Sequence, residues 1–260
     1  MDNPENDSAE GFVEVRCYFV RERNALAVRA DFGSIYVDHY LHFMQHGISI
    51  SPEHDAMLKD ALAACTLHLA SRPWNEVSAW TLHFGKEPLN LFVTGNSREE
   101  NVIGRVFTED VREDDQELFI AQINDFPKDP RRSIVETSGS DVFDIVGQYY
   151  TKSEQRLARY FRFSEEDFVF ISAQPQCDEE WLRGLDDKAI QTLDQDEDLS
   201  LLEVRRYRHH CGCTLDRILP TLAKVSADEL FGEGESIRID CPRCAAHFEV
   251  TRSDLDDAGG

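Results

Sequence analysis

The spacing of apolar and polar side chains changes several times along the chain, and each change marks an element. After a polar start over residues 1–10, Gly11 to Phe32 carries Phe12, Val13, Val15, Phe19 and Val20, then Ala25, Leu26, Ala27 and Val28. These are two strand-like runs that suit a hairpin. Ser51, Pro52 and Glu53 supply an N-cap, a first-position proline and a first-turn acid. They precede Met57, Leu58, Ala61, Leu62, Cys65 and Leu69 at helical spacing, which predicts an amphipathic helix. From Val77 the short runs VSAWTLHF, LNLFVTGN, VIGRVFTED, ELFIAQINDF and RRSIVETSG alternate with turn signals and predict an antiparallel meander. Asp141 to Phe161 returns to helical spacing through Val142, Ile145, Val146, Tyr149 and Tyr150, and DFVFISAQP closes the region as a strand. Residues 11–176 therefore read as one α+β domain, an antiparallel sheet with helices.

The texture changes again over residues 177–208, which read as an acidic connector. Asp178 to Asp198 holds nine acids against two bases, with Trp181, Leu182, Leu185, Ile190 and Leu193 spaced as a weak amphipathic helix. So little apolar surface cannot offset the entropy of ordering, so the connector should depend on docking to the main domain. Arg205 to His210 is the most basic stretch of the chain, and residues 209–257 follow as a small module. Leu215, Ile218, Leu219 and Leu222 predict a short helix that Pro220 interrupts, and Ser226-Ala227-Asp228-Glu229 is a capping box. Ser236 to Ile239 and His247 to Val250 predict two strands that bracket Cys241 and Cys244.

Composition narrows the class of function. The formal net charge of −23, from 50 acidic and 27 basic side chains, opposes binding to phosphate backbones, so nucleic acid is not an expected partner. Nor is a membrane, because no apolar run approaches the 18 or so residues of a span. The acidic start MDNPENDSAE lacks the basic and apolar regions of a leader, which makes the cytoplasm the expected location. Seven cysteines in such a chain point to reduced thiols and metal ligation over a disulfide framework.

Four of those cysteines carry the clearest chemistry. Cys211-Gly212-Cys213 and Cys241-Pro242-Arg243-Cys244 form a CxC and a CxxC, two short-spaced pairs of the kind that close a tetrahedral Zn2+ site, one ion per chain. Metal binding of this type contributes on the order of 10–16 kcal/mol, comparable to the stability of a whole domain. A module this small relies on it. The basic run before Cys211 favours the thiolate form.

Other candidates have plainer alternatives. His39, His42 and His46, beside Asp38, share one face if helical and suit a second metal site; the other reading is a polar flank to Leu41, Phe43 and Met44. Cys65 and His68 stand three apart on the predicted helix, as a nucleophile and base or as buried packing. Cys17 lies in a strand, and the acids after Cys177 should raise its thiol pKa. His209, His210 and His247 lie near the four cysteines but are not expected to be ligands. With no phosphate-cradling loop, GxSxG or HExxH, an enzyme is not expected.

Beyond the sulfurs, Arg217, Ile218 and Leu222, the SADEL run at Ser226 to Leu230, and the ending HFEVTRSDL resemble the heat-shock protein 33 family of redox-regulated chaperones. Tyr149-Tyr150 and Ser153-Glu154-Gln155 resemble that family's tyrosine-containing helix and SEQ signature. The resemblance implies a cytoplasmic holdase, inactive while reduced and zinc-bound. Oxidation then pairs Cys211 with Cys213 and Cys241 with Cys244, zinc leaves, module and connector lose structure, and unfolded or misfolded clients bind. It implies a monomer when reduced and allows a homodimer when oxidised. The connector looks shorter than the family's, and DFVFISAQP lacks the family's paired glycines. The competing reading is a constitutive zinc-ribbon interaction module in which the metal is purely structural.

Overall fold

The computed structural model describes residues 11–112, 115–125 and 127–258; the start of the polar tail, residues 1–10, lies outside them. The predicted hairpin is present as β1 (Val13–Val20) and β2 (Ala25–Asp31), paired from Arg16↔Arg29 to Val20↔Ala25. α1 (Gly33–His46) follows and ends on Gly47 in the left-handed conformation, φ +59°. α2 (Pro52–Ala70) begins where the sequence predicts, with Ser51 Oγ accepting from His54 N at 3.1 Å. The meander comprises β3 (Glu76–Phe84), β4 (Leu89–Asn96), β5 (Asn101–Phe107), β6 (Leu118–Asp125) and β7 (Arg131–Glu136).

Two elements depart from the periodicity. The helix predicted over 141–161 stops early, as α3 (Val142–Lys152). Ser153, Glu154 and Gln155, the last at φ +55°, turn the chain into β8 (Ala158–Arg162), which pairs with β9 (Asp167–Ala173). The single weak helix expected after Asp178 is instead three short ones, α4 (Glu179–Gly184), α5 (Asp187–Gln191) and α6 (Leu193–Asp196). Asp178 and Asp186 side chains cap the first two, so the acids that thin the apolar face also subdivide the helix.

Leu199 to His209, divided in the sequence reading between connector and basic preface, is one strand, β10. It joins two half-sheets in the order β7-β6-β3-β4-β5-β10-β1-β2-β9-β8, antiparallel to β1 and parallel to β5. Its alternation is hidden because a basic residue occupies an inward position. Arg205 is buried, with Nη2 donating to Glu203 Oε1 at 2.6 Å, Nη1 to Leu69 O at 3.1 Å, and the guanidinium over Trp74.

α2 touches β3, β4 and β5 on one side and β1, β2 and β9 on the other, and α3 reaches β6 and β8 near the two ends of the sheet. The sheet thus curls round α2, which is buried on every face from Ala61 to Ala70 and so reads as amphipathic only in its first turns. Trp80, Phe119, Tyr149, Tyr150 and Phe170 fill this main core. On the opposite face of β1, β2, β8 and β9, a second apolar cluster lies beneath α4 to α6: Leu182, Leu185, Ile190 and Leu193 cover Ala27, Phe161, Val169 and Ile171.

The C-terminal module consists of α7 (Leu215–Leu222), α8 (Ala227–Phe231), the hairpin β11 (Ser236–Asp240) and β12 (His247–Thr251), and α9 (Arg252–Ala258). Pro220 does not interrupt α7, which runs through it to Leu222. In so short a helix proline removes one donor, the N–H that would face the Asp216 carbonyl.

Candidate metal centre

Two backbone turns position the thiols. Past the end of β10, the chain turns at Gly212, φ +65°, where a Cβ would be strained and would stand 3.1 Å from Arg217 Nη1. In the β11–β12 turn, Cys241 N donates to Ala246 O at 2.8 Å and Ala245 N to Cys241 O at 2.9 Å, with Ala245 at φ +60°. The result brings all four Sγ atoms within 4.8 Å of one another, the only such group of potential ligands among the described residues. Cys211 and Cys241 sulfurs are 3.7 Å apart, Cys213 and Cys244 sulfurs 3.5 Å. A tetrahedral ion with metal–sulfur bonds of ~2.3 Å requires sulfurs about 3.8 Å apart. The four cysteines can therefore hold a metal ion.

At this spacing the thiols titrate as one set. Hydrogen bonds with Cys211, Cys213 and Cys244 hold the Cys241 thiol far below its ordinary value, whereas bonds with the other three push Cys244 up. Each further thiolate in the set is costlier until a cation offsets the charge.

The surroundings come from distant parts of the chain. Arg105 on β5 donates from Nη1 to Cys241 O at 2.9 Å, Arg243 from Nη2 to Cys211 O at 3.0 Å, and Arg217 from Nη1 to Gly212 O at 2.8 Å. These guanidinium groups stand where the sequence reading placed the Arg205 to His210 run. That run instead alternates across β10, and its Arg205 is committed to the core. Ile103, also on β5, packs its side chain against Cys241, Cys244 and Ala246. His42 on α1 donates from Nε2 to Cys244 O at 2.8 Å. Ile103, Arg105 and the role of His42 had no local signal; the pairing of β5 with β10 brings the first two here, and the packing of α1 against β10 brings His42.

His39, His42 and His46 do share a face of α1, but their nitrogens do not converge on an ion. His39 Nε2 bonds Asp55 Oδ1 at 2.9 Å, and Asp38 accepts from Gly11 N at 3.0 Å. The histidines form a ring contact between α1, β10 and the module: His209 lies 5.3 Å from His39 and 5.6 Å from His42, and His46 is 6.4 Å from His247. Burial first, then the neighbouring histidines, hold His209 well below the ordinary imidazole range. His210 donates its N–H to Val102 O at 3.1 Å, and His247 Nδ1 bonds Asp240 at 2.6 Å.

Cys65 and His68 are both buried and make no pair. Burial raises the Cys65 thiol, while His68 Nδ1 bonds Tyr150 Oη at 2.5 Å and its Nε2 faces Glu76 at 3.3 Å. Glu76 also binds Arg72 at 3.1 Å, and Glu154 of the SEQ signature accepts from Arg72 at 3.4 Å and from Tyr149 Oη at 3.0 Å. Glu154 thus ties the end of α3 to the turn that follows α2. Cys17 donates to Ala70 O at 3.3 Å, and burial pushes its thiol up to about 12. Cys177 is half-buried and its thiol is raised, by burial more than by Glu179 and Asp178.

An α+β domain closed by a small four-cysteine module is thus the class that fold and site define. The family model described as "Hsp33 protein" matches residues 164–251, from β9 through β12. Three relatives carry the name 33 kDa chaperonin. That of Proteus mirabilis is 26% identical over 242 residues, 77% of this chain and 82% of the relative. That of Nitrosococcus oceani is 23% identical over 153 residues, 50% of this chain and 53% of the relative. That of Agathobacter rectalis is 30% identical over 79 residues, 29% of this chain and 27% of the relative. The chain therefore spans about half the length, or less, of the last two. The crystal structure of the Thermotoga maritima 33 kDa chaperonin shares the fold, with a TM-score of 0.72, 13% identity, and coverage of 94% of this chain and 97% of that one. From β9 through β12 the chain is thus similar to the heat-shock protein 33 family, and over nearly all of its length it shares the fold of that crystal structure.

Proposed function

We propose that this protein is a holdase chaperone switched by oxidation of its four-cysteine centre. The observation that carries the reading is the convergence of Cys211, Cys213, Cys241 and Cys244 within reach of one ion. They lie in a module whose own core is little more than Leu219, Phe231, Val250 and Leu255. Bound there, Zn2+ would crosslink the module and contribute on the order of 10 kcal/mol to its folding. A two-electron oxidant such as hydrogen peroxide takes two electrons from Cys211 and Cys213, forming one S–S bond as the peroxide leaves as two waters. A second equivalent does the same at Cys241 and Cys244. Neither disulfide offers thiolate ligands, so the module loses its staple.

The connector carries the consequence. Its apolar residues cover a sheet face, held by Arg23 to Asp178 at 2.9 Å and to Glu197 at 3.0 Å, and by Arg159 Nη1 to Leu185 O at 2.6 Å. Connector and cysteines flank opposite ends of β10, whose bond to β5 is limited to Arg208 and His209. Loss of the module frees that end, and release of the connector uncovers apolar sheet for unfolded clients. Light scattering from a chemically unfolded client tests this. Suppression by oxidised, zinc-free protein and none by reduced, zinc-loaded protein is expected; retention of zinc and fold after peroxide would leave the constitutive zinc-ribbon reading.

A further inference from the structure

The guanidinium groups round the four cysteines differ from others in the chain in having no counter-charge. With 50 acidic side chains against 27 basic ones a carboxylate partner is readily found, as at Arg23, Arg29 and Arg162. Among the described residues Arg105, Arg217 and Arg243 have none, and each donates instead to a backbone carbonyl of the site, that of Cys241, Gly212 and Cys211 respectively. Asp240, the acid next to Cys241 in sequence, is bonded by His247 at 2.6 Å and Arg238 at 3.3 Å. Three positive charges without a carboxylate therefore converge on the cysteines.

Their placement is uneven. Arg105 reaches Cys241 O from β5, the strand whose Ile103 covers Cys241 and Cys244, and both of those cysteines are buried. Arg217 and Arg243 bond the Cys211-Gly212-Cys213 turn, and Cys211 and Cys213 are only half-buried. Solvent thus meets the centre at these two sulfurs, beside two guanidinium groups. Four thiolates round one divalent ion leave two negative charges in excess, and the whole chain carries −23. Both repel an anion. Arg217 and Arg243 offset that repulsion locally, because salt screens the distant charges over about 10 Å and the adjacent ones far less.

We infer that Arg217 and Arg243 make the cysteine centre selective for anionic oxidants of the peroxyacid class, such as peroxymonocarbonate, over neutral peroxides. The carboxylate-like end of such an oxidant is planar and matches the guanidinium fork. The thiolate of Cys211 or Cys213 attacks the terminal peroxide oxygen: an S–O bond forms, the O–O bond breaks, and carbonate leaves with the electron pair, its second negative charge developing beside a guanidinium. The other thiolate of the pair then attacks the sulfenic acid, displaces hydroxide and closes the disulfide. One oxidant is consumed per disulfide. This deepens the oxidation switch proposed above and rests on it, but it concerns which oxidant reaches the sulfurs and not what the oxidised protein does.

The test compares peroxymonocarbonate, made by mixing bicarbonate with hydrogen peroxide, with hydrogen peroxide alone on reduced, zinc-loaded protein. Zinc release to a chromogenic chelator and loss of free thiols by mass spectrometry are followed, and each rate is divided by that of the same oxidant with N-acetylcysteine to remove intrinsic reactivity. In the parent protein, added sodium chloride should slow the anionic oxidant several-fold and leave the neutral one unchanged. An anionic rate that rises with salt would mean that the net charge of −23 governs approach, and overturns the proposal whatever the variants do. The ratio of anionic to neutral rates should fall roughly tenfold in Arg243→Gln and in Arg217→Gln, whereas Arg243→Lys, which keeps the charge, should retain most of it. Substitutions that merely loosen the centre change both rates alike and leave the ratio where it was, which overturns the proposal. So does a ratio that persists in zinc-free protein unfolded in urea, where the arginines are no longer held at the sulfurs. An unchanged ratio with intact suppression of aggregation by oxidised protein sinks the arginine assignment alone; a ratio that falls as expected, in a protein that never suppresses aggregation, sinks the chaperone reading alone.

Discussion

Replacing Ile103 by alanine tests how firmly the four-cysteine module is held to the main domain. Ile103 is buried among Cys241, Cys244 and Ala246 and lies outside the main core, so its loss should weaken docking and leave the sheet intact. Alanine removes three carbons from this contact. At ~0.8 kcal/mol per buried carbon group, that is about 2.4 kcal/mol. If the module can leave β5 as a unit, the undocked population rises roughly 50-fold. Amide exchange of β11 and β12 in the reduced, zinc-loaded protein reads that population directly, and oxidant-driven zinc release, followed with a chromogenic chelator, should quicken in parallel. Trp80 fluorescence, which reports the main core, should not change. Unaltered exchange in β11 and β12 would refute the docking role of Ile103 and with it the mechanical coupling from cysteines to sheet.

Three further outcomes follow from the same geometry. Zinc removal with a thiol-reactive mercurial should unfold residues 211–255, because Leu219, Phe231, Val250 and Leu255 form too small a core, while near-UV circular dichroism of the main domain persists. Leu182→Ser, at a fully buried connector position, should cost about 2–5 kcal/mol locally and raise dye binding and aggregation suppression in the reduced protein; unchanged dye binding would argue against the connector as a cover. Burial alone would raise the Glu76 carboxyl, but His68 and then Arg72 outweigh it and bring it from 4.5 to about 2. Its folded pKa being depressed, Glu76 contributes about 3 kcal/mol above pH 4.5 that is lost as the pH falls towards 2. His68, held down by burial, acts in the same direction below its ordinary 6.5. Urea midpoints between pH 7 and 2 should therefore fall less steeply below pH 4.5 in Glu76→Gln than in the parent protein.

The elements that can be read locally were those whose periodicity matches their burial. The meander from Val77 and the cap at Ser51 are of this kind, because each carries its own turn or capping residues. The four cysteines were equally plain, since their spacing alone implies two turns. β10 was not, because Arg205 occupies an inward position that only Glu203, Leu69 and Trp74 make tolerable. β8 was concealed by the helix before it, where the left-handed Gln155 ends the turn without a glycine. The rest of the site, Ile103, Arg105 and His42, depends on pairings more than a hundred residues apart in sequence. The same long-range packing turned the histidine face of α1 from a candidate metal site into a contact with the module.

The position of β10 also constrains how the chain can be made. β5 and β1 have no direct pairing, so the two half-sheets meet only through a strand that emerges from the ribosome after nearly 200 other residues. Until then both halves present unpaired inner edges, and the β1–β10 ladder closes a loop of very large sequence separation. Assembly of the sheet is therefore a late, slow event in synthesis, and a ribosome stalled before Leu199 would display two incomplete sheets that invite pairing with other chains.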